Sequence, residues 1–334
     1  MIKKLLISVG LLLLIGLGVW RIFFSEDTIK NKIENISENL NSYSLEANME
    51  ITNGEEKRNF NVKAGYLKNN GQESFKVSLY DTSINQEQIL LRNADGVYVL
   101  TPRLNQVHKF NSSWPTTSVT PYLYQSLLNV FEGEYEVESV DDGIIVSSKI
   151  NYKNSSLYSK QEIKFSNELV PVWVNIYNDK GEAIIKVNFT KVEINNSFED
   201  NYFDVNESMN VSRENISEDV VAPIDLPYML TGSDLNIELV DTVTVEIEDE
   251  SLHMLVYKGE NNFTVIEKVS SVYDEIEVIE SNGDIALTIN GFVRLEDSKV
   301  SYNYNGVDIV IYGDSLDAGA YLNIVNGMEV STSK

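Results

Sequence analysis

From Tyr43 onward this chain adopts a two-residue rhythm, and that rhythm restricts its fold more than any other feature. Tyr43, Leu45, Ala47, Met49 and Ile51 alternate with Ser44, Glu46, Asn48, Glu50 and Thr52. Successive side chains of a strand point to opposite faces, so the pattern predicts a strand with one face buried and one in water. Half-buried strands of this kind belong to antiparallel sheets. Turn signals then recur at Asn53-Gly54, Asn69-Asn70-Gly71, Asp95-Gly96, Asp142-Gly143 and Asn178-Asp179-Lys180-Gly181. Strand-like runs lie between them at 75–80, 88–91, 97–101, 143–150, 158–165, 170–177 and 183–189. The expectation is a long antiparallel meander.

Two stretches break the rhythm with helical spacing. Ile29, Ile33, Ile36 and Leu40 fall on one face of a helix over 25–40, a face apolar enough to need a sheet beneath it. Leu123, Leu127, Leu128 and Phe131 do the same over 121–131. Residues 199–219 are acidic and rich in Asn and Ser with little periodicity, which places a linker at 207–222. Strands resume at 235–239, 242–248, 252–258, 263–269, 285–289, 291–295, 299–304 and 307–312, and 315–328 reads as a short helix. The expected organisation is therefore 25–206, a linker, and a smaller antiparallel α+β domain at 223–334.

Ahead of all this, residues 5–24 are almost uninterrupted hydrocarbon, preceded by Lys3 and Lys4. About 20 apolar residues in a helix span the ~30 Å of a bilayer's interior. A removed secretory signal has a shorter core, about 7–15 residues, and small residues at its cut. Here Trp20-Arg21-Ile22-Phe23-Phe24 follows instead, so 1–24 is expected to be a retained transmembrane anchor. The lysines place the N-terminus in the cytoplasm and the bulk of the chain outside it, at the cell membrane.

The chain's 334 residues, 43% of them hydrophobic, suffice for a sizeable core. A net charge of −25 argues against nucleic acid as a partner, because phosphate binding needs clustered Lys and Arg. The absence of cysteine excludes disulfides, thiol catalysis and a lipid-modified cysteine anchor.

The segments Gly96-Val97-Tyr98-Val99-Leu100-Thr101-Pro102, Gln106-Val107-His108-Lys109-Phe110 and Ser113-Trp114-Pro115 resemble the central strands of the LolA-like lipoprotein-carrier superfamily. Leu169-Val170-Pro171-Val172-Trp173, Phe189-Thr190-Lys191-Val192-Glu193-Ile194-Asn195 and Phe203-Asp204-Val205 resemble its final strands. The resemblance covers about residues 27–206 and is nearest to the sporulation and germination proteins of GerS type in spore-forming Firmicutes. It implies a fold that is mainly β (α+β): a curved antiparallel half-barrel, unclosed, with helices on its concave side. In the carriers that hollow takes up acyl chains; in the GerS-type proteins the fold serves protein contact in building spore cortex. The second domain resembles a small module found on regulatory proteins of extracytoplasmic sigma factors and on sporulation proteins.

Residues able to carry chemistry are few. His108 and His253 are the two histidines, and neither has metal-ligand spacing. His108 is expected at a surface or sheet edge. The carboxylates of Asp141-Asp142, Glu199-Asp200 and 246–250 lack the alternation of a calcium loop and read as turns and solvated faces. No nucleophile elbow or phosphate loop occurs. What remains is the aromatic set Tyr98, Phe110, Trp114, Tyr122, Tyr124 and Trp173, which would line a cavity or contact surface, or simply fill the core. The functional expectation is a non-enzymatic, cofactor-free binding protein outside the cytoplasm, contacting an envelope or spore-cortex protein. Two alternatives stand beside it: an acyl-chain ligand in the hollow, or a sensor regulating an extracytoplasmic sigma factor.

Overall fold

The computed structural model describes residues 26–54, 56–111, 114, 119–150, 157–215, 226–231, 236–247, 250–313, 316–327 and 329–332. The expected anchor, 1–24, lies outside them. Among the described residues no helix is long and apolar enough to cross a membrane.

Helix α1 (Glu26–Asn39) comes first, and its stripe meets the core as spaced. Ile29 and Leu40 are buried there, and Ile33 and Ile36 are half-buried beside them. Strands β1 (Ser42–Asn53), β2 (Glu56–Asn69), β3 (Gln72–Asp81), β4 (Gln86–Asn93), β5 (Gly96–Thr101) and β6 (Gln106–Phe110) follow as a meander. Helix α2 (Tyr124–Leu128) runs into a short 3-10 turn, Asn129–Glu132. A second meander comprises β7 (Tyr135–Val140), β8 (Gly143–Lys149), β9 (Lys160–Ser166), β10 (Pro171–Tyr177) and β11 (Ala183–Ile194). Beyond helix α3 (Val205–Asn215) lie β12 (Tyr228–Thr231), β13 (Ile237–Ile247), β14 (Glu250–Gly259), β15 (Phe263–Val269), β16 (Glu277–Ser281), β17 (Asp284–Thr288), β18 (Gly291–Glu296), β19 (Lys299–Tyr304) and β20 (Val307–Gly313). Helix α4 (Ala318–Asn326) and β21 (Glu329–Thr332) complete the described elements.

The two meanders are joined where β1 pairs with β11, giving the order β16-β6-β5-β4-β3-β2-β1-β11-β10-β9-β8-β7. The end strands do not pair with each other, so the sheet is an open trough. A strongly twisted sheet of more than about ten strands curls, and this one wraps its inward side chains around one core. A second sheet has the order β13-β14-β15-β20-β19-β18-β17, with α4 on its inner face, and β12 pairs with β21.

Three expectations need correction. Residues 207–215, the first part of the expected linker at 207–222, lie in helix α3. Asp204 starts it by accepting from the Glu207 N–H at 2.9 Å, and Met209 is fully buried on the outer side of β4–β6. A stripe of Val205, Ser208, Met209 and Ser212 is too rich in serine to read as amphipathic. Residues 216–222 lie outside the described set. Pairing is also not wholly antiparallel: β16 joins the first sheet parallel to β6, from Glu277 opposite Gln106 to Ser281 opposite Phe110. It lies between the strands expected at 263–269 and 285–289, where no strand is expected from sequence. Third, His108 is buried, because β16 closes over the edge that β6 would otherwise expose.

The hairpin β17–β18 binds the two sheets into one body. Ile285, Leu287, Ile289 and Phe292 belong to the core of the first sheet, while Val293 and Leu295 belong to that of the second. Alternate residues of a strand face opposite ways, so one hairpin serves both. Gln88 of β4 fixes the register: its Oε1 accepts from the Phe292 N–H at 2.8 Å and its Nε2 donates to the Phe292 carbonyl at 3.3 Å. Gly291 sits at φ +85°, and a Cβ there would run into Gln88 Oε1. Truncation of Phe292 to Ala should lower stability by about 3–5 kcal/mol in urea unfolding, the usual cost of emptying a buried aromatic site. A loss below about 1 kcal/mol would mean that the hairpin is only loosely laid in the trough.

Candidate functional site: the concave face of the first sheet

The trough is lined by aromatic side chains that the strand register stacks across the sheet. Tyr43, Tyr66 and Phe75 lie directly opposite one another on β1, β2 and β3. Their ring centroids are 5.3 Å apart for Tyr43–Tyr66 and 4.9 Å for Tyr66–Phe75. Trp114 meets Phe75 edge-on at 5.6 Å, and Tyr124 meets Tyr43 edge-on at 5.9 Å. Tyr122 meets Phe292 at 6.5 Å, so the second sheet's hairpin completes the set. Phe110 is buried in the same core.

Four of the six aromatics singled out from sequence therefore converge on the concave side: Phe110, Trp114, Tyr122 and Tyr124. Tyr98 and Trp173 do not. Val97 and Val99 take the inward positions of β5, which turns Tyr98 outward to pack with Met209 of α3. Val174 and Ile176 do the same on β10 and leave Trp173 half-buried outside the core. Tyr43, Tyr66, Phe75 and Phe292 were missed. Three of them recur at matching positions of neighbouring strands, a signal readable only once the register is known.

Three hydroxyls in this interior are held as donors. Tyr43 donates to Gln125 Oε1 at 2.6 Å, Tyr66 to Glu73 Oε1 at 3.0 Å and Tyr124 to the Leu169 carbonyl at 2.9 Å. Burial raises the pKa of Tyr43, Tyr122 and Tyr124, and burial beside Glu73 pushes Tyr66 up to about 12. The phenols thus stay neutral at any physiological pH.

A cavity of about 460 Å³ opens at this end, lined among others by Glu73, Arg92, Gln125, Glu134, Lys149 and Gln161. Among its described lining residues, Phe75 and Val130 are the only large apolar ones. Arg92 donates to the Trp114 carbonyl at 2.9 Å. The volume falls within the range of small-ligand pockets, but the lining suits polar groups and not hydrocarbon.

His108 stands at the opposite rim of the trough. Arg294 Nη1 of β18 lies 2.6 Å from both ring nitrogens, and Nδ1 also lies 3.0 Å from Ser281 Oγ. Burial and the Arg294 charge hold its pKa down at about 3. A neutral imidazole backed by a cation lacks the carboxylate that would make it a general base for Ser281. Its role is to seat the second sheet. His253 contacts Thr244 at the surface, 3.1 Å away. Among the described residues no group of three or more His, Asp or Glu side chains could hold a metal ion.

A family model described as "Sporulation protein YdcC-like" matches residues 2–203. The chain belongs to this family. It is similar to sporulation protein YdcC of Bacillus subtilis (strain 168), 27% identical over 307 residues that cover 88% of this chain and 87% of the relative. Among solved structures, MucB in complex with MucA(peri) overlaps 91% of this chain and 98% of its own at 11% identity, with a TM-score of 0.32. A putative outer membrane lipoprotein-sorting protein domain from Vibrio parahaemolyticus overlaps 54% and 97% at 14% identity, with a TM-score of 0.26. Overlap as loose as this carries no functional information. The YdcC-like membership agrees with the sporulation branch to which the sequence motifs pointed.

His108 makes the docking of the second sheet sensitive to pH. Its proton is bound at about pH 6.5 in the unfolded chain and only near pH 3 in the fold, so the unfolded state takes up more protons between those values. Stability should be complete above pH 6.5 and fall by about 2 kcal/mol on going to pH 5. Urea midpoints compared at pH 7.5 and pH 5 measure this, and His108→Gln should flatten the difference.

Proposed function

We propose that this chain is a membrane-anchored, extracytoplasmic binding protein of sporulation or germination, acting by protein contact and without catalysis. The observation that carries this reading is the state of the trough. Its interior is filled by Tyr43, Tyr66, Phe75, Trp114, Tyr122 and Tyr124, and the β17–β18 hairpin stops one end. An acyl-carrying protein needs a hydrocarbon-lined space of several hundred Å³, and among the described residues the cavity at this end of the trough is bordered by Glu73, Arg92 and Lys149. The YdcC-like family supports the sporulation setting. The apolar segment at residues 5–24 supports anchoring, and the lysines before it support an outward orientation.

The working surface is then the outside of the body. Its partner is an envelope or spore-cortex protein, consistent with a strongly acidic chain that favours a basic counterpart. Photocrosslinking of the full chain in sporulating cells should recover an envelope protein, and its deletion should give spores with altered cortex or germination. Spores of a deletion strain indistinguishable from the parent would sink the reading. In parallel, native mass spectrometry of the purified chain should show no retained fatty acid; a stoichiometric acyl ligand would instead favour the carrier alternative.

A further inference from the structure

Strand β13 is the outer edge of the second sheet, and among the described residues nothing pairs with its free side. It is 11 residues long and exposed along most of its length. Edge strands that remain alone are short, or carry lysine or proline that blocks pairing. β13 has no lysine, arginine or proline. Its single irregularity is a bulge between Leu239 and Asp241, after which the register runs unbroken from Asp241 to Ile247.

The face it presents is apolar. Val243, Val245 and Ile247 are 42%, 37% and 53% exposed and point the same way. Val243 lies opposite Met254, Val245 opposite Leu252, and Met254 opposite Ile266 of β15. The strip therefore crosses three strands on the side of the sheet away from α4. The charges of the strand are all negative: Glu238, Asp241 and Glu246.

We propose that the free edge of β13 is a docking site for an extended, cationic segment of another protein, which adds to the second sheet as a further strand. Main-chain hydrogen bonds to the free edge supply affinity, and alternate side chains supply specificity. The segment that fits alternates apolar residues, lying over Val243, Val245 and Ile247, with Lys or Arg that neutralise the carboxylates. A second copy of this chain fits poorly. Pairing β13 with itself would bring three carboxylates towards three more, and like charges across a ladder destabilise it. The inference rests on the protein-contact reading above and adds to it a surface and a partner chemistry.

The test uses the full chain and a synthetic eleven-residue peptide of alternating lysine and valine. Two controls accompany it: a peptide of equal charge with the lysines in one block, and a peptide with glutamate for lysine. Hydrogen exchange should slow within residues 237–247 with the alternating peptide alone. Val243→Lys/Val245→Lys, at exposed positions that the fold does not need, should weaken binding at least tenfold. Glu193→Lys on β11 should leave it unchanged. Equal binding of the block peptide, protection elsewhere, or insensitivity to the double substitution would overturn the proposal, as would self-association that protects 237–247 without peptide. If the peptide result fails while cells still yield a crosslinked envelope protein, only this surface falls. If no partner is recovered and spores are normal, the protein-contact reading itself is gone.

Discussion

The hairpin β17–β18 is the element on which the rest of the molecule depends. Its apolar residues serve both cores: Ile285, Leu287, Ile289 and Phe292 enter the trough while Val293 and Leu295 enter the second core. Asn326 at the end of α4 reinforces the connection, its Oδ1 accepting from the Ile289 N–H at 3.0 Å. Without this hairpin the first sheet would have an open apolar hollow at β4–β6. With it, the hollow is a core. The two sheets therefore stabilise each other by burial, the largest favourable contribution available to a chain with no disulfide.

Polar side chains set the register that burial alone would leave loose. Gln86 and Gln88, two apart on β4, both face the second sheet and both use their amides as a strand neighbour would. Gln86 accepts from the Asn305 N–H at 2.9 Å and donates to Asn303 Oδ1 at 2.9 Å. Arg58 of β2 lies over the Tyr304 ring at 4.5 Å and pairs with Glu56 at 2.6 Å. Buried polar groups cost free energy unless they are satisfied, so these contacts favour one docking geometry over its sliding alternatives. A neutral His108 between Arg294 and Ser281 belongs to the same system.

Much of this architecture is written in local periodicity. The stripe Ile29, Ile33, Ile36 and Leu40 and the alternation from Tyr43 to Ile51 required no tertiary information, and α1 and β1 lie where they indicate. Helix α4 is likewise visible, with Asp317 capping it through the Ala320 N–H at 2.8 Å. What was not legible depends on parity and partners. Period two says that Tyr98 and Val99 face opposite ways but not which faces the trough. Nothing local to 277–281 signals that the chain returns to the first sheet as a parallel strand, since that pairing is decided by where β15 ends. Helix α3 was hidden because Ser208 and Ser212 occupy buried positions that apolar residues usually take; Ser212 donates to Glu87.

These structural facts also bear on how a trough of this type can be put to use. A hollow that must load and release a ligand has to tolerate being empty, which costs free energy for every apolar side chain left without neighbours. Here the ladder Tyr43–Tyr66–Phe75–Trp114 is closed by the chain's own segments, and the second sheet lies across one end. Emptying it would mean undocking β17–β18, with the loss of four aliphatic or aromatic anchors at about 1.5–3 kcal/mol each. The packed aromatic ladder and the docked hairpin make this end of the trough rigid.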